Sequence, residues 1–257
     1  MRFSRVAARL TAVVLGASLI GAGLTGPSSA ASPRLSAAPI PTAPAGKFSA
    51  IAAGSTGWDT LNVETPTQIA CLKRAGYTFD MINTNGPTWQ NEYNAAAAAG
   101  LKVVLFQGYD QDAWVVPSQA TTRAAAIRNK ARAAKYPLGA EIYLNVENNL
   151  TDTSGKKKVT PAAMLSWINT WAAIIRKAGF IPGLYIGSPQ VLSTAQVNSI
   201  QNVLFWRSVS SSAPQAARGF TVRQLKINAG ACSIPKGIDI NVAGADLRKY
   251  KLIGARF

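Results

Sequence analysis

The 257-residue chain contains no histidine. Without an imidazole to relay a proton, Ser-His-Asp and Cys-His catalysis are excluded. Cysteine is nearly as scarce, with Cys71 and Cys232 alone and far apart in the chain. Two thiols cannot complete a tetrahedral zinc site, so no metal is expected. Carboxylates are few, eleven against 27 lysines and arginines, so any acid-base chemistry must fall on a handful of side chains. Beyond residue 24 there is no apolar run near the roughly 20 residues needed to cross a bilayer. No Gly-rich dinucleotide or phosphate fingerprint follows the first strand candidate, and no cofactor is expected.

What is present begins with a leader. Arg2, Arg5 and Arg9 precede an apolar run from Leu10 to Leu24, and Ser28-Ser29-Ala30 supplies small residues for cleavage. Residues 1–30 therefore read as a secretory signal peptide, and the protein as secreted and extracellular. In that compartment Cys71 and Cys232 are expected to form a disulfide. Residues 31–46, ASPRLSAAPIPTAPAG, are too rich in Pro, Ala and Ser to bury a core and read as a flexible spacer. The folded domain is expected over 47–257. A formal net charge of +16 draws an exported protein to polyanions, here an anionic wall polymer, and fits association with the cell wall. The same charge also serves solubility alone. There is no nucleic-acid-binding motif, and a monomer is expected.

From Gly54 onward short apolar runs alternate with helical stretches. Strands are expected at Ser55–Asp59, Thr78–Asn83, Lys102–Gln107, Glu141–Glu147, Pro182–Gly187, Val203–Arg207, Thr221–Ile227 and Ile238–Val242. The clearest helices are Thr67–Ala75, Gln90–Ala99, Gln119–Lys135 and Pro161–Ala178, each stopped near a Gly or Pro. Runs such as KVVLF and IPGLYIG are apolar on both faces, as in a parallel sheet covered by helices. The fold class is α/β, a (β/α)8 TIM-like barrel whose later units are shortened: the helix after Arg207 is doubtful and NAGACSIPKG carries none. An open doubly wound sheet is the alternative.

In such barrels functional groups gather at the carboxyl ends of the strands. Those ends hold Asp59, Asn83, Gln107 with Tyr109 and Asp110, Asn145 with Glu147, Tyr185, Trp206, Gln224, and Asp239 with Asn241. Within YLNVENN, Asn145 and Glu147 lie two positions apart, so they share one strand face at about 7 Å. Amides, carboxylates and aromatics at one mouth suit a sugar, whose ring stacks on aromatic faces while its hydroxyls take hydrogen bonds. Structural roles compete with this. Glu147 could pair with Arg207 or nearby amides, Asp59 could cap a turn, Asp239 could accept backbone hydrogen bonds, and Tyr185 and Trp206 could simply fill the core. Asp246 reads as the N-cap of a short last helix. The loop NNLTDTSGKKKVT is either a lid over the mouth or a solvated loop.

The order and placement of GWDT, YLNVEN, LYIGS, LFWRS, RQL and GIDINV resemble the family-25 lysozyme-like muramidases. They are closer still to secreted actinobacterial glycoside-hydrolase-like domains sharing that barrel. The resemblance covers roughly residues 54–250. It implies a bacterial cell-wall glycan, peptidoglycan, as partner. Asp59, Glu147 and Asp239 then fall on the family's acidic positions, with Glu147 as proton donor. Asn145 stands where the family carries an assisting Asp. Gln107, Tyr109, Tyr185, Trp206, Gln224, Asn145 and Asn241 would contact the sugar. An amide offers a dipole where a carboxylate offers charge, which implies a weakened enzyme or a silent glycan-binding module. It should also leave Glu147 less readily protonated than an aspartate neighbour would.

Overall fold

A computed structural model describes residues 46–244 and 252–257, all within one unit, Pro39–Phe257. The leader, nearly all of the spacer and the Asp246 cap lie outside the described residues. The described residues form ten strands: β1 (Lys47–Ala50), β2 (Thr56–Asp59), β3 (Phe79–Asn83), β4 (Lys102–Gln107), β5 (Glu141–Val146), β6 (Ile181–Ile186), β7 (Leu204–Arg207), β8 (Val222–Ala229), β9 (Ile238–Ala243) and β10 (Ile253–Arg256). The helices are α1 (Pro66–Arg74), α2 (Trp89–Ala98), α3 (Gln119–Ala133), α4 (Pro161–Lys177) and α5 (Thr194–Ser199).

Local chemistry sets these boundaries. Thr65 caps α1 in a reciprocal box with Gln68, and Pro66 opens the helix. At α4 Thr160 Oγ1 accepts from Ala163 N–H and Pro161 opens the helix, and at α5 Ser193 and Gln196 form a reciprocal box. Gly76, Gly100 and Gly179, at φ of +96°, +69° and +93°, take the left-handed turn that ends α1, α2 and α4.

Strands β2 through β9 close into an eight-membered ring, β4 joining β5, with helices outside. Seven strands run parallel. The expected all-parallel sheet fails at β9, which is antiparallel to both β2 and β8. The reason is connector length: residues 230–237 are too few for a parallel crossover, which takes a dozen or more. No helix occurs between β7 and β8 among the described residues, as the shortened later units implied. An element absent from the sequence reading is the β1–β10 pair, antiparallel and attached to β4 at Ala255–Val103.

Two apolar layers result. The larger lies between ring and helices around Trp58, Leu105, Trp167 and Trp171. The smaller fills the ring itself with Phe79, Met81, Val104, Tyr143, Val222 and Ala243, closed below by Ile51 and Leu252. Inward glycines make room for its large members. A Cβ at Gly57 would collide with the Phe79 ring and one at Gly183 with the Tyr143 ring. The lower half of the ring is therefore solid, and what remains open is its upper rim.

Candidate functional site

At that rim lies a cavity of about 310 Å3 whose lining includes Asp59, Asn145, Glu147, Gln224 and Asp239. Its floor is aromatic. Trp206 meets Tyr185, Phe106 and Tyr143 edge to face, at centroid separations of 4.7, 5.6 and 6.0 Å. These contacts fix the indole, and Trp206 Nε1 donates to Asn241 Oδ1 at 2.9 Å.

Strand alternation places each polar group. Tyr143 and Asn145 on β5 and Glu147 just beyond its end face inward, and Asn145 Nδ2 donates to Glu147 Oε1 at 2.9 Å. Gly187, just past the end of β6, leaves space for this carboxylate: a Cβ there would lie 2.5 Å from Glu147 Oε2. Asp59 ends β2 and pairs across the ladder with Asp239, which begins β9. Because β9 runs antiparallel, its first residues, not its last, reach the carboxyl rim. Asn241 Nδ2 donates to Asp59 Oδ1 at 2.6 Å. Gln224 Nε2 donates to Asp239 Oδ2 at 2.9 Å, and Asn228 N–H to Asp239 Oδ1 at 2.8 Å. Tyr185 Oη is 3.0 Å from both Gln224 Oε1 and Ser208 Oγ.

The partners of all three carboxylates are thus amides and one backbone N–H. Burial without a paired cation disfavours the charged form. Asp59 is pushed well above the ordinary carboxylate range, first by burial and then by Asp239, against the Asn241 hydrogen bond. Glu147 is raised by burial, lowered by Asn145 and raised by Asp239. Asp239 is raised by burial and lowered by the Asn228 N–H. The amide at 145 does pull Glu147 down as expected, but burial outweighs it. A carboxyl kept protonated beside a second carboxylate can deliver a proton to a bound leaving group.

The other expected site residues divide. Tyr185, Trp206 and Gln224 line the cavity, whereas Asn241 lies beneath it, holding Asp59 and Trp206. Gln107 points the opposite way: its side chain bonds Arg123 O and Trp171 Nε1 in the outer layer. Tyr109 packs against that same outer layer. Phe106, one residue earlier, is the inward member of β4. Asp110 pairs with Arg123, and Arg207 sits over the Phe220 ring at 5.2 Å, so it is not the partner of Glu147. The KKK loop does not line the cavity. Its backbone wraps Asp152 Oδ1 through Lys156 and Lys157 N–H, and Thr153 is tied to Asp112. Cavity residues missed by the sequence reading include Ser208, Val209 and Lys236, together with Thr60, Leu61 and Asn62. Ser208 was accessible to it, being two positions beyond inward Trp206.

Cys71 in α1 and Cys232 in the β8–β9 loop form the expected disulfide, with Cα atoms 5.8 Å apart. Thr60 Oγ1 to Gly237 O, Asn62 Nδ2 to Pro235 O and Gln68 Nε2 to Ser233 O fasten the same loop. One wall of the cavity is therefore held by a covalent tie and three hydrogen bonds.

A closed α/β barrel with acids and amides over an aromatic floor is the architecture of a glycoside-hydrolase-like domain. The chain belongs to the Rv2525c-like, glycoside hydrolase-like domain family, whose pattern matches residues 70–243. That span takes in Asn145, Glu147 and Asp239 but not Asp59. Among solved structures, an uncharacterized B. stearothermophilus protein is 20% identical over 76% of this chain and 98% of its own, with a TM-score of 0.57. A glycosyl hydrolase 25 of Streptococcus pneumoniae, GHIP, is 14% identical over 74% of this chain and 87% of its own, at 0.54. The bacterial lysozyme from Streptomyces coelicolor is 17% identical over 75% and 94%, at 0.50. At these identities the likeness is one of fold. No curated protein sequence matches the chain.

Proposed function

We propose that the protein is exported and that its cavity binds the glycan of the bacterial cell wall, with Glu147 as proton donor to a glycosidic oxygen. The observation that carries this reading is the convergence of Asp59, Asn145, Glu147 and Asp239 on one cavity over an aromatic floor. In this reading a sugar ring lies against Trp206 and Tyr185 while the amides take its hydroxyls. Glu147, raised by burial, supplies the proton. Asp239, less buried than Asp59, carries the negative charge that faces the oxocarbenium-like transition state. The leader at 1–30 and the Cys71–Cys232 disulfide support export, and the net charge of +16, of which the leader's Arg2, Arg5 and Arg9 supply +3, leaves a strongly basic protein suited to retention on anionic wall polymer.

A second reading has its own observation. Asn145 donates to Glu147 and so favours the ionised carboxylate, which cannot protonate a leaving group. In that case the cavity recognises glycan without cleaving it. Release of reducing ends from purified peptidoglycan separates the two. The enzyme reading expects activity in the wild type, its loss in Glu147→Gln and a gain in Asn145→Asp. Glycan binding with no release from any of the three proteins establishes the binding module and overturns the proton-donor role.

A further inference from the structure

Away from the cavity the molecule concentrates acid a second time. Glu64 precedes α1, Asp80 lies on the helix-facing side of β3, and Glu92 sits in the first turn of α2. Their exposures are 3%, 0% and 2%. One carboxylate oxygen from each lies within 4.8 Å of the others. Ionised carboxylates brought out of water need a counter-charge or donors. Few are on hand: Trp58 Nε1 donates to Glu64 Oε1 at 3.2 Å, and no basic side chain is bound to any of the three among the described residues.

A separate observation concerns Asp80. Both of its oxygens are enclosed without any hydrogen-bond partner, as is Glu64 Oε2. Buried polar atoms left so are rare in folded proteins and ask for a bound group. Protons alone do not satisfy this one. Burial raises the affinity of all three acids for protons. Asp80 is still left with neither donor nor acceptor.

We propose that Glu64, Asp80 and Glu92 bind a hard divalent cation, calcium foremost. The donor set is oxygen throughout, with no nitrogen or sulfur to select a softer metal. Three carboxylates can present up to about six oxygens in the flexible geometry calcium accepts, whereas magnesium keeps several waters that so enclosed a site excludes. The position gives the ion a task. Glu64 follows Thr60, Leu61 and Asn62, which line the cavity, and Asp80 pairs across the ladder with Trp58, the residue before Asp59. The cation pins the β2–α1 connection and with it one wall of the cavity. Because it displaces protons, its affinity rises with pH.

Terbium, a luminescent calcium substitute, provides the test, with Trp58 placed beside the site to sensitise it. The full exported chain, stripped with chelator, is titrated with Tb3+ under tryptophan excitation, and its melting is then followed with and without Ca2+. Expected are saturable emission at one equivalent, displacement by Ca2+, and a melting temperature several degrees higher with Ca2+. Asp80→Asn and Glu92→Gln should each abolish both responses while melting cooperatively, and Glu147→Gln should keep them. Absence of emission and of a calcium-dependent shift in the wild type overturns the proposal, whether or not the variants fold. So does emission that survives in Asp80→Asn and vanishes in Glu147→Gln.

Discussion

At position 145 an amide donates to Glu147, and a carboxylate in its place would repel that neighbour instead. Asn145→Asp should therefore raise the pKa of Glu147 and move the alkaline limb of a pH–activity profile upward, with a rate gain of the order of a hundredfold. Gly187 is its counterpart just past the adjacent strand β6. Alanine there places a methyl 2.5 Å from Glu147 Oε2 and 2.7 Å from the Tyr185 ring. Gly187→Ala should fold yet weaken glycan binding at least tenfold, as isothermal calorimetry would read. A third residue-scale prediction concerns Glu141 at the floor of the ring, which bonds Tyr143 Oη and Ile253 N–H. Burial lifts it from 4.5 to about 8. Between those values the folded chain binds a proton that the unfolded chain does not, so stability is greatest below 4.5 and is lost as pH rises through about 8. The melting temperature of the wild type should fall across that window, and Glu141→Gln should flatten the fall.

Among elements, the β8–β9 loop deserves the closest look because it delivers Asp239 and Asn228 to the cavity while lacking a helix of its own. Its tie to α1 spans a sequence separation of 161 residues, so Cys71–Cys232 removes much freedom from the unfolded chain. Replacing both cysteines by serine should cost about 2–5 kcal/mol, visible as a lower denaturant midpoint in chemical unfolding. Element by element, the sequence is readable where capping residues and glycines punctuate it, as in α1 and α4. The face of a strand is readable only where polarity alternates. In YLNVEN the inward set carries Asn145 and Glu147, so the parity is plain. In KVVLFQ both faces are apolar, which is why Gln107 and Phe106 exchange the places the sequence suggests. The β9 reversal is legible in the short connector at 230–237, too brief for a parallel crossover, whereas the β1–β10 pair depends on long-range pairing that local residues do not encode. The buried acids at 64, 80 and 92 share no spacing rule and meet only through packing.

For the molecule as a whole, charge and cavity make separable contributions to any wall affinity. Retention by an anionic wall polymer should weaken steeply between low and moderate salt, since exposed charges are screened over about 10 Å at 0.1 M. Binding of a glycan oligomer in the cavity should change little across that range. A pull-down on whole wall material across a salt series, run beside calorimetry with the oligomer, distinguishes them. The lower half of the ring is packed solid, so within the ring a ligand has access only at the carboxyl rim. The most direct measurement is the affinity of a purified peptidoglycan glycan oligomer for the wild type and for Trp206→Ala, followed by calorimetry. Saturable binding at one site per chain, lost in the variant while the fold persists, is the predicted result. A wild type that takes up no glycan, or equal binding by both proteins, would contradict the account.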